Sequence, residues 1–169
     1  KLLFIKESHA TALFPGGFGT LDEGFESLTL VQTGKSDPRP IVFVDAPGSK
    51  FWKPMLNFFE RQLIKDGMVS SSERAIYQLA TSAEEAAQAI LNFYNIYHSI
   101  RYVQKHLVIR LNQRLSDNAM TRINREFRDL LTSGTIQQGG ALPIEADEPN
   151  LLSMPRLVVV ERLRIAGVP

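Results

Sequence analysis

The chain has 169 residues, 44% apolar and 22% charged, with a formal net charge of +1. That suits a folded domain with a sizeable core, and the near-neutral balance argues against a charge-driven nucleic-acid or membrane partner. The absence of cysteine excludes disulfides and thiolate metal sites and fits a reducing cytoplasm, and no apolar run reaches the roughly 18 residues of a membrane-spanning helix.

Leu2, Leu3 and Ile5, followed by Lys6 and Glu7, read as the tail of a helix. The chain opens at Lys1 inside this amphipathic pattern, without a signal peptide, which predicts a start within a larger protein. TALF (Thr11–Phe14) ends at Pro15 and predicts a short buried strand. A glycine loop follows. From Thr20 to about Thr33, apolar residues at Leu21, Phe25, Leu28 and Val31 keep helical spacing. Thr20 is placed to cap this helix, Asp22 and Glu23 fall in its first turn, and Gly34 stops it.

IVFV (Ile41–Val44) predicts a second buried strand. Phe51–Asp66 predicts an amphipathic helix with Pro54 in its first turn and Phe51, Met55, Phe58, Phe59 and Leu63 on its apolar side. Ala75–Leu79 is a third strand candidate. Ser82, with Glu85 in the capping-box position, starts a helix to about His98. Helices alternating with strands imply an α/β fold, a parallel sheet covered on both faces. Trp52 reads as a core or interface residue.

After residue 100 the pattern changes. Strands are expected at His106–Leu111, Ile136–Leu142 and Leu157–Leu163. A charged helix is expected at Ser116–Leu131 and a polar loop at Ala146–Pro155. The division expected is residues 1–100 and an α+β extension over 101–169. Residues 1–100 carry 9 basic and 11 acidic side chains, residues 101–169 carry 10 and 7. The basic side chains Arg122, Arg125 and Arg128 interleave with Glu126 and Asp129, as on a solvated face.

The stretch FPGGFGTLDE (Phe14–Glu23) carries the chemistry. In a parallel sheet, ligands bind beyond the carboxyl ends of the strands, and this loop follows such an end. Glycines let backbone approach a phosphate, and the N–H groups of a helix start donate to it. Gly16, Gly17, Gly19 and Thr20 therefore suit a phosphate. The loop fits neither a Walker A sequence nor GxGxxG, so a plain strand–helix turn stays open as the alternative. Glu23 lies about one turn beyond Thr20 and would face a ribose rather than the phosphate, whereas Asp22 reads as a dipole-complementing residue.

PGGFGTLDE resembles the PGGxGTxxE signature of the LOG-type proteins, long labelled lysine decarboxylase-like. The resemblance covers roughly residues 1–97, including GKSDPRPIVFVD. It implies a Rossmann-like sheet whose first strands precede this chain. The activity implied is hydrolysis of the N-glycosidic bond of nucleoside 5′-monophosphates, giving free base and ribose 5-phosphate, with no cofactor. Lys1 matches the lysine of the family's Arg-Lys pair, so the catalytic arginine would stand immediately before Lys1. Substrate contacts carried over by the resemblance fall on Gly17, Phe18, Gly19, Thr20, Leu21, Asp22, Glu23 and Thr29, with Gly16 added from the loop chemistry. Gln32 matches a frequent family position, while Asp22 and Leu30 stand where glutamate and tryptophan are more usual. Glu23 would stabilise the oxocarbenium-like cation or activate water. A homodimer or higher homo-oligomer is implied by resemblance only. The contrasting reading is a nucleotide-binding or sensing module without turnover. The decarboxylase label finds no poised Schiff-base lysine and no pyridoxal phosphate motif.

His9, His98 and His106 lack metal-ligand spacing and read as structural, with His9 at the edge of the site. The aromatic cluster FYNIYHSIRY (Phe93–Tyr102), with Arg101, reads as packing rather than base stacking.

Overall fold

The computed structural model describes residues 2–104, 106–131 and 134–159. The chain forms two compact units, residues 1–93 and 94–169.

The first unit is a Rossmann-like α/β layer structure. Its parallel sheet runs β1 (Thr11–Leu13), β2 (Ile41–Val44), β3 (Tyr77–Ala80), in that order. Leu13 pairs with Phe43 and Val44 with Ala80. Every residue of β2 is buried, as its unbroken apolar run requires of a central strand. Alternate β2 side chains feed two cores. Ile41 and Phe43 join Leu13, Trp52 and Phe59 under α2 (Phe18–Gln32) and α3 (Lys53–Phe58). Val42 and Val44 join Ala80 and Ala86 under α4 (Ala83–Ile96). A short α1 (Leu2–Lys6) precedes β1, tied down by Arg39, which donates to the carbonyls of Ile5 and Ser8. Burying side chains such as Phe43 contributes roughly 1.5–3 kcal/mol each.

Several element boundaries differ from expectation. Gly17, not Thr20, is the N-cap of α2, so Thr20 sits in its first turn and Asp22 and Glu23 lie beyond it. Gly34 does end the helix, with a φ of 66°. The helix expected over Phe51–Asp66 is α-helical only at Lys53–Phe58 and continues as a π-helical stretch, Phe59–Ile64. Phe58 lies off the helix face formed by Trp52, Met55, Leu56 and Phe59 and is 51% exposed, while Phe59 stays in the core. Phe51 precedes the helix and is 48% exposed rather than part of its apolar side. The third strand begins at Tyr77, because Ser71–Ile76 is a 3-10 turn fixed by a capping box between Ser70 and Glu73.

The second unit is an antiparallel sheet in the order β4-β5-β7-β6. Its elements are β4 (Tyr97–Val103), β5 (His106–Leu111), α5 (Asp117–Glu126), β6 (Ile136–Gly139) and β7 (Arg156–Val159). The helix expected to His98 therefore stops at Ile96, and the aromatic stretch becomes an unexpected strand. The cause is long-range. The Asn112 side chain donates to the carbonyls of Tyr94 and Tyr97, its N–H donates to Ile96, and Gln113 takes the Asn95 carbonyl. Helix α5 is shorter than expected, with a 3-10 turn at Arg128–Leu130 after it. Strand β6 stops at Gly139 rather than Leu142. Strand β7 starts at Arg156, and the expected continuation over 160–163 lies outside the described residues.

Arg110 and Arg156 are direct neighbours across β5 and β7, a repulsive pairing by itself. Glu145, fully buried, lies between them, accepting from Arg110 Nη2 and Arg156 Nε at 2.9 Å each. Glu148 bonds both Arg110 and Arg101, so Arg101 serves this network.

Candidate functional site

Strand β1 ends at Leu13 and the chain crosses Phe14–Gly17 before α2 begins. The four glycines here meet three different surroundings. A Cβ on Gly16 would lie 2.1 Å from Thr20 Oγ1, so Thr20 folds back onto the loop only because Gly16 has no side chain. A Cβ on Gly24 would lie 2.8 Å from Leu13 Cδ1, which sets the close approach of α2 to β1. Around Gly17 and Gly19 the space is open to at least 4 Å.

No side chain caps α2 at Gly17. Its first intrahelical bond runs from Leu21 N–H to the Gly17 carbonyl, 3.1 Å. The N–H groups of Phe18, Gly19 and Thr20 thus have no partner inside the helix and carry its positive dipole end. Beside open glycines at the carboxyl edge of a parallel sheet, this arrangement can hold an anion through backbone donors.

The helix also sorts its side chains. Gly24 faces β1, and Leu21 and Phe25 turn towards Phe43, Trp52 and Met55. At about 100° per residue, Glu23 projects from the opposite flank. Ser27, on the same flank, lies 3.4 Å from Thr11 on β1. Glu23 is half-buried and Asp22 exposed. Gly16 to Glu23 therefore span the loop and the first two turns of α2, with Leu21 towards the core and Glu23 on the other flank. Phe18, at the helix start, is 92% exposed.

Two expected members stand apart. Thr29 lies nine residues beyond Thr20, roughly 13.5 Å along the axis and on the other side of the helix. Its hydroxyl donates to the Phe25 carbonyl, 2.8 Å. It borders a separate apolar groove of about 150 Å³ with Phe25, Leu28, Gln32, Phe59 and Tyr77. Lys1 lies outside the described residues. His9 is at the amino end of β1, the end away from the glycine loop, which removes it from the site's edge.

Asp45 belongs to no signature motif in the sequence. It closes the IVFV strand, is 2% exposed, and accepts from Ser49 Oγ and Phe51 N–H at 3.2 Å each. An acid directly after four buried apolar residues was the available signal. Among the described residues no group of His, Cys, Asp and Glu could hold a metal ion, and no helix is long and apolar enough to cross a membrane.

A parallel α/β sheet with an uncapped, glycine-led helix at its carboxyl edge defines a Rossmann-like domain. The family model described as possible lysine decarboxylase matches residues 1–90. The chain belongs to this family, the LOG family. It is 31% identical over 88 residues to cytokinin riboside 5′-monophosphate phosphoribohydrolase LOG1 of Arabidopsis thaliana, a stretch covering 52% of this chain and 39% of that protein. It is 27% identical over 95 residues to LOG4 of the same plant, covering 56% and 42%. It is also 32% identical over 80 residues to the probable cytokinin riboside 5′-monophosphate phosphoribohydrolase LOGL3 of Oryza sativa subsp. japonica, covering 47% and 36%. The chain spans about two-fifths of the length of these curated relatives.

Proposed function

We propose that the full-length protein hydrolyses the N-glycosidic bond of nucleoside 5′-monophosphates, releasing free base and ribose 5-phosphate. The observation that carries this reading is the open, uncapped start of α2 at the carboxyl end of β1, with Glu23 one turn further on. The phosphate would take the N–H groups of Phe18, Gly19 and Thr20 and the Thr20 hydroxyl. Gly16, Gly17 and Leu21 shape the backbone there, and Asp22 lies at the rim. Lys1 would add a cation.

In the reaction the C1′–N bond breaks and its electron pair leaves with the base, which takes up a proton. Water adds to C1′ and gives up a proton. Glu23 would stabilise the cationic sugar and orient or deprotonate that water. A carboxylate beside the phosphate itself would repel it, so its flank position one turn away suits the sugar. The decarboxylase label has less behind it. Every lysine among the described residues is exposed, whereas a Schiff-base lysine depends on desolvation or a cationic neighbour to lower its pKa.

Thr29 would act from a second copy of the chain. It is too far along α2 to share a ligand with Thr20 of its own helix, and the helix face it shares with Phe18 and Phe25 is exposed. Two such faces packed about a two-fold axis would bring Thr29 of one copy to the α2 start of the other. Light scattering on the full-length protein checks this, and a monomer at working concentration would remove Thr29 from the site. The lack of cysteine favours a cytoplasmic setting.

The test is incubation of full-length protein with AMP, CMP, GMP and IMP, with chromatography for free base and ribose 5-phosphate. Release of base is expected. Tight binding without release would instead identify a nucleotide-sensing module.

A further inference from the structure

We propose that Asp45 is a positioning residue for the start of α2, acting through the β2–α3 loop and Trp52; this rests on the reading of that helix start as the phosphate site. Leu13 pairs with Phe43, so Asp45 leaves the sheet beside Pro15, at the same edge as the glycine loop. A carboxylate at 2% exposure is costly to bury unless its oxygens are hydrogen-bonded. Asp45 Oδ1 accepts from both Ser49 Oγ and Phe51 N–H, closing the loop Asp45–Phe51 on itself. Its own N–H donates to the Ala80 carbonyl at 2.8 Å, fixing the anchor to β3.

The residue after this closed loop is Trp52, 1% exposed. Its Nε1–H donates to the Val44 carbonyl, 3.2 Å, and its ring lies edge-on against Phe51 at 4.8 Å and tilted on Phe43 at 5.0 Å. The same indole lines a narrow gap together with Leu13, Thr20, Leu21 and Gly24. Trp52 is therefore the floor beneath the first two turns of α2. The chain of contact runs from the Asp45 carboxylate to the loop, to the indole, to the turn whose N–H groups would meet the phosphate. Backbone donors must be held within a fraction of an ångström to bind well, and interiors transmit small shifts because they are close-packed.

The test is Asp45→Ala and Asp45→Asn in the full-length protein, with steady-state kinetics on AMP and calorimetric titration with ribose 5-phosphate. Asp45→Ala is expected to raise KM and weaken ribose 5-phosphate binding by about tenfold, with kcat within about twofold, a misplacement effect. Asp45→Asn keeps the accepting oxygen and is expected to restore most of the affinity. Lower thermal stability in Asp45→Ala with unchanged KM and affinity would overturn the proposal, leaving Asp45 a purely structural residue. So would equal damage from Asp45→Asn, since the charge itself would then be in use. Should Asp45→Ala fail to fold, Ser49→Ala removes one of the two hydrogen bonds. A smaller rise in KM supports the proposal, and none overturns it. A wild-type protein that binds ribose 5-phosphate without releasing base would sink the hydrolase reading alone, and the affinities still decide Asp45. One that binds neither ligand would sink both.

Discussion

The glycines of one short motif respond to different constraints, which makes them separable by mutation. Gly16→Ala drives a methyl group against Thr20 Oγ1 and Cβ, at 2.1 and 2.9 Å. Because Thr20 Cβ cannot rotate away, the loop must shift, and overpacking of this kind costs about 1–3 kcal/mol. Gly17→Ala meets nothing within 4 Å. It should leave the melting temperature nearly unchanged while weakening ribose 5-phosphate binding, because the new methyl enters the space that the phosphate would use. Calorimetry alongside thermal melts separates the two. Equal behaviour of both variants in both measurements would mean that no ligand uses the space at Gly17. Glu23→Gln completes the set: turnover of AMP should be abolished with binding retained, and unchanged turnover would remove Glu23 from the chemistry.

At the level of single elements, termini govern more than propensity does. Helix α4 begins with Ser82 Oγ accepting from Glu85 N–H at 3.1 Å, while the Glu85 carboxylate reaches back to the Thr81 N–H and hydroxyl. Those hydrogen bonds hold Glu85 below the ordinary carboxylate value. Ser82→Ala should cost about 1 kcal/mol in denaturant titration, the usual loss for a cap. The other end of α4 depends on Asn112, whose amide captures two carbonyls at the point where helix becomes strand. Asn112→Ala is expected to speed hydrogen exchange at the α4–β4 junction, with the β5–β7 ladder unaffected. No such change would show that backbone pairing alone ends the helix.

For the molecule as a whole, the two units rest on different physics. The first is held by two apolar cores on a parallel sheet. The second centres on the buried Arg110–Glu145–Arg156 cluster. Burial by itself would push the Glu145 carboxyl up, but hydrogen bonds from Arg156, the Leu142 N–H and Arg110 outweigh it and hold it below its ordinary value. Glu148 is also held low, chiefly by its hydrogen bond from Arg110. A carboxylate depressed in the folded state stabilises above its unfolded value and loses that contribution as pH falls through the folded one. The second unit should therefore weaken once pH drops below 4.5, the ordinary value of these groups. Acid titration followed by hydrogen exchange in β5 and β7 reads this directly. Glu145→Gln should cost about 3–5 kcal/mol at neutral pH, because the buried Arg156 guanidinium loses its counter-charge while Arg110 keeps Glu148.

Much of this protein was already legible in the amino-acid order. The apolar run IVFV, with helical periodicity on either side, determined a parallel α/β sheet, because only burial on both faces tolerates such a strand. TALF placed β1 but is not buried throughout, since the strand stops at Leu13 and Ala12 and Phe14 are exposed. PGGFGTLDE located the open, glycine-led start of α2 and placed Glu23 one turn on, since glycine and the signature act over a few neighbouring residues. Other features depended on partners distant in sequence. Thr20 looked like a cap until Gly16 drew its side chain back to the loop. The strand at Tyr97–Val103 followed a helix with no breaker between them, and Asn112 and Gln113 set the boundary from across the sheet. Asp45 became visible only when the loop closed on it and the strand register set it beside Pro15. Local chemistry chose the elements and the motif. Burial and long-range hydrogen bonds decided where each element ended and which side chains stand behind the site.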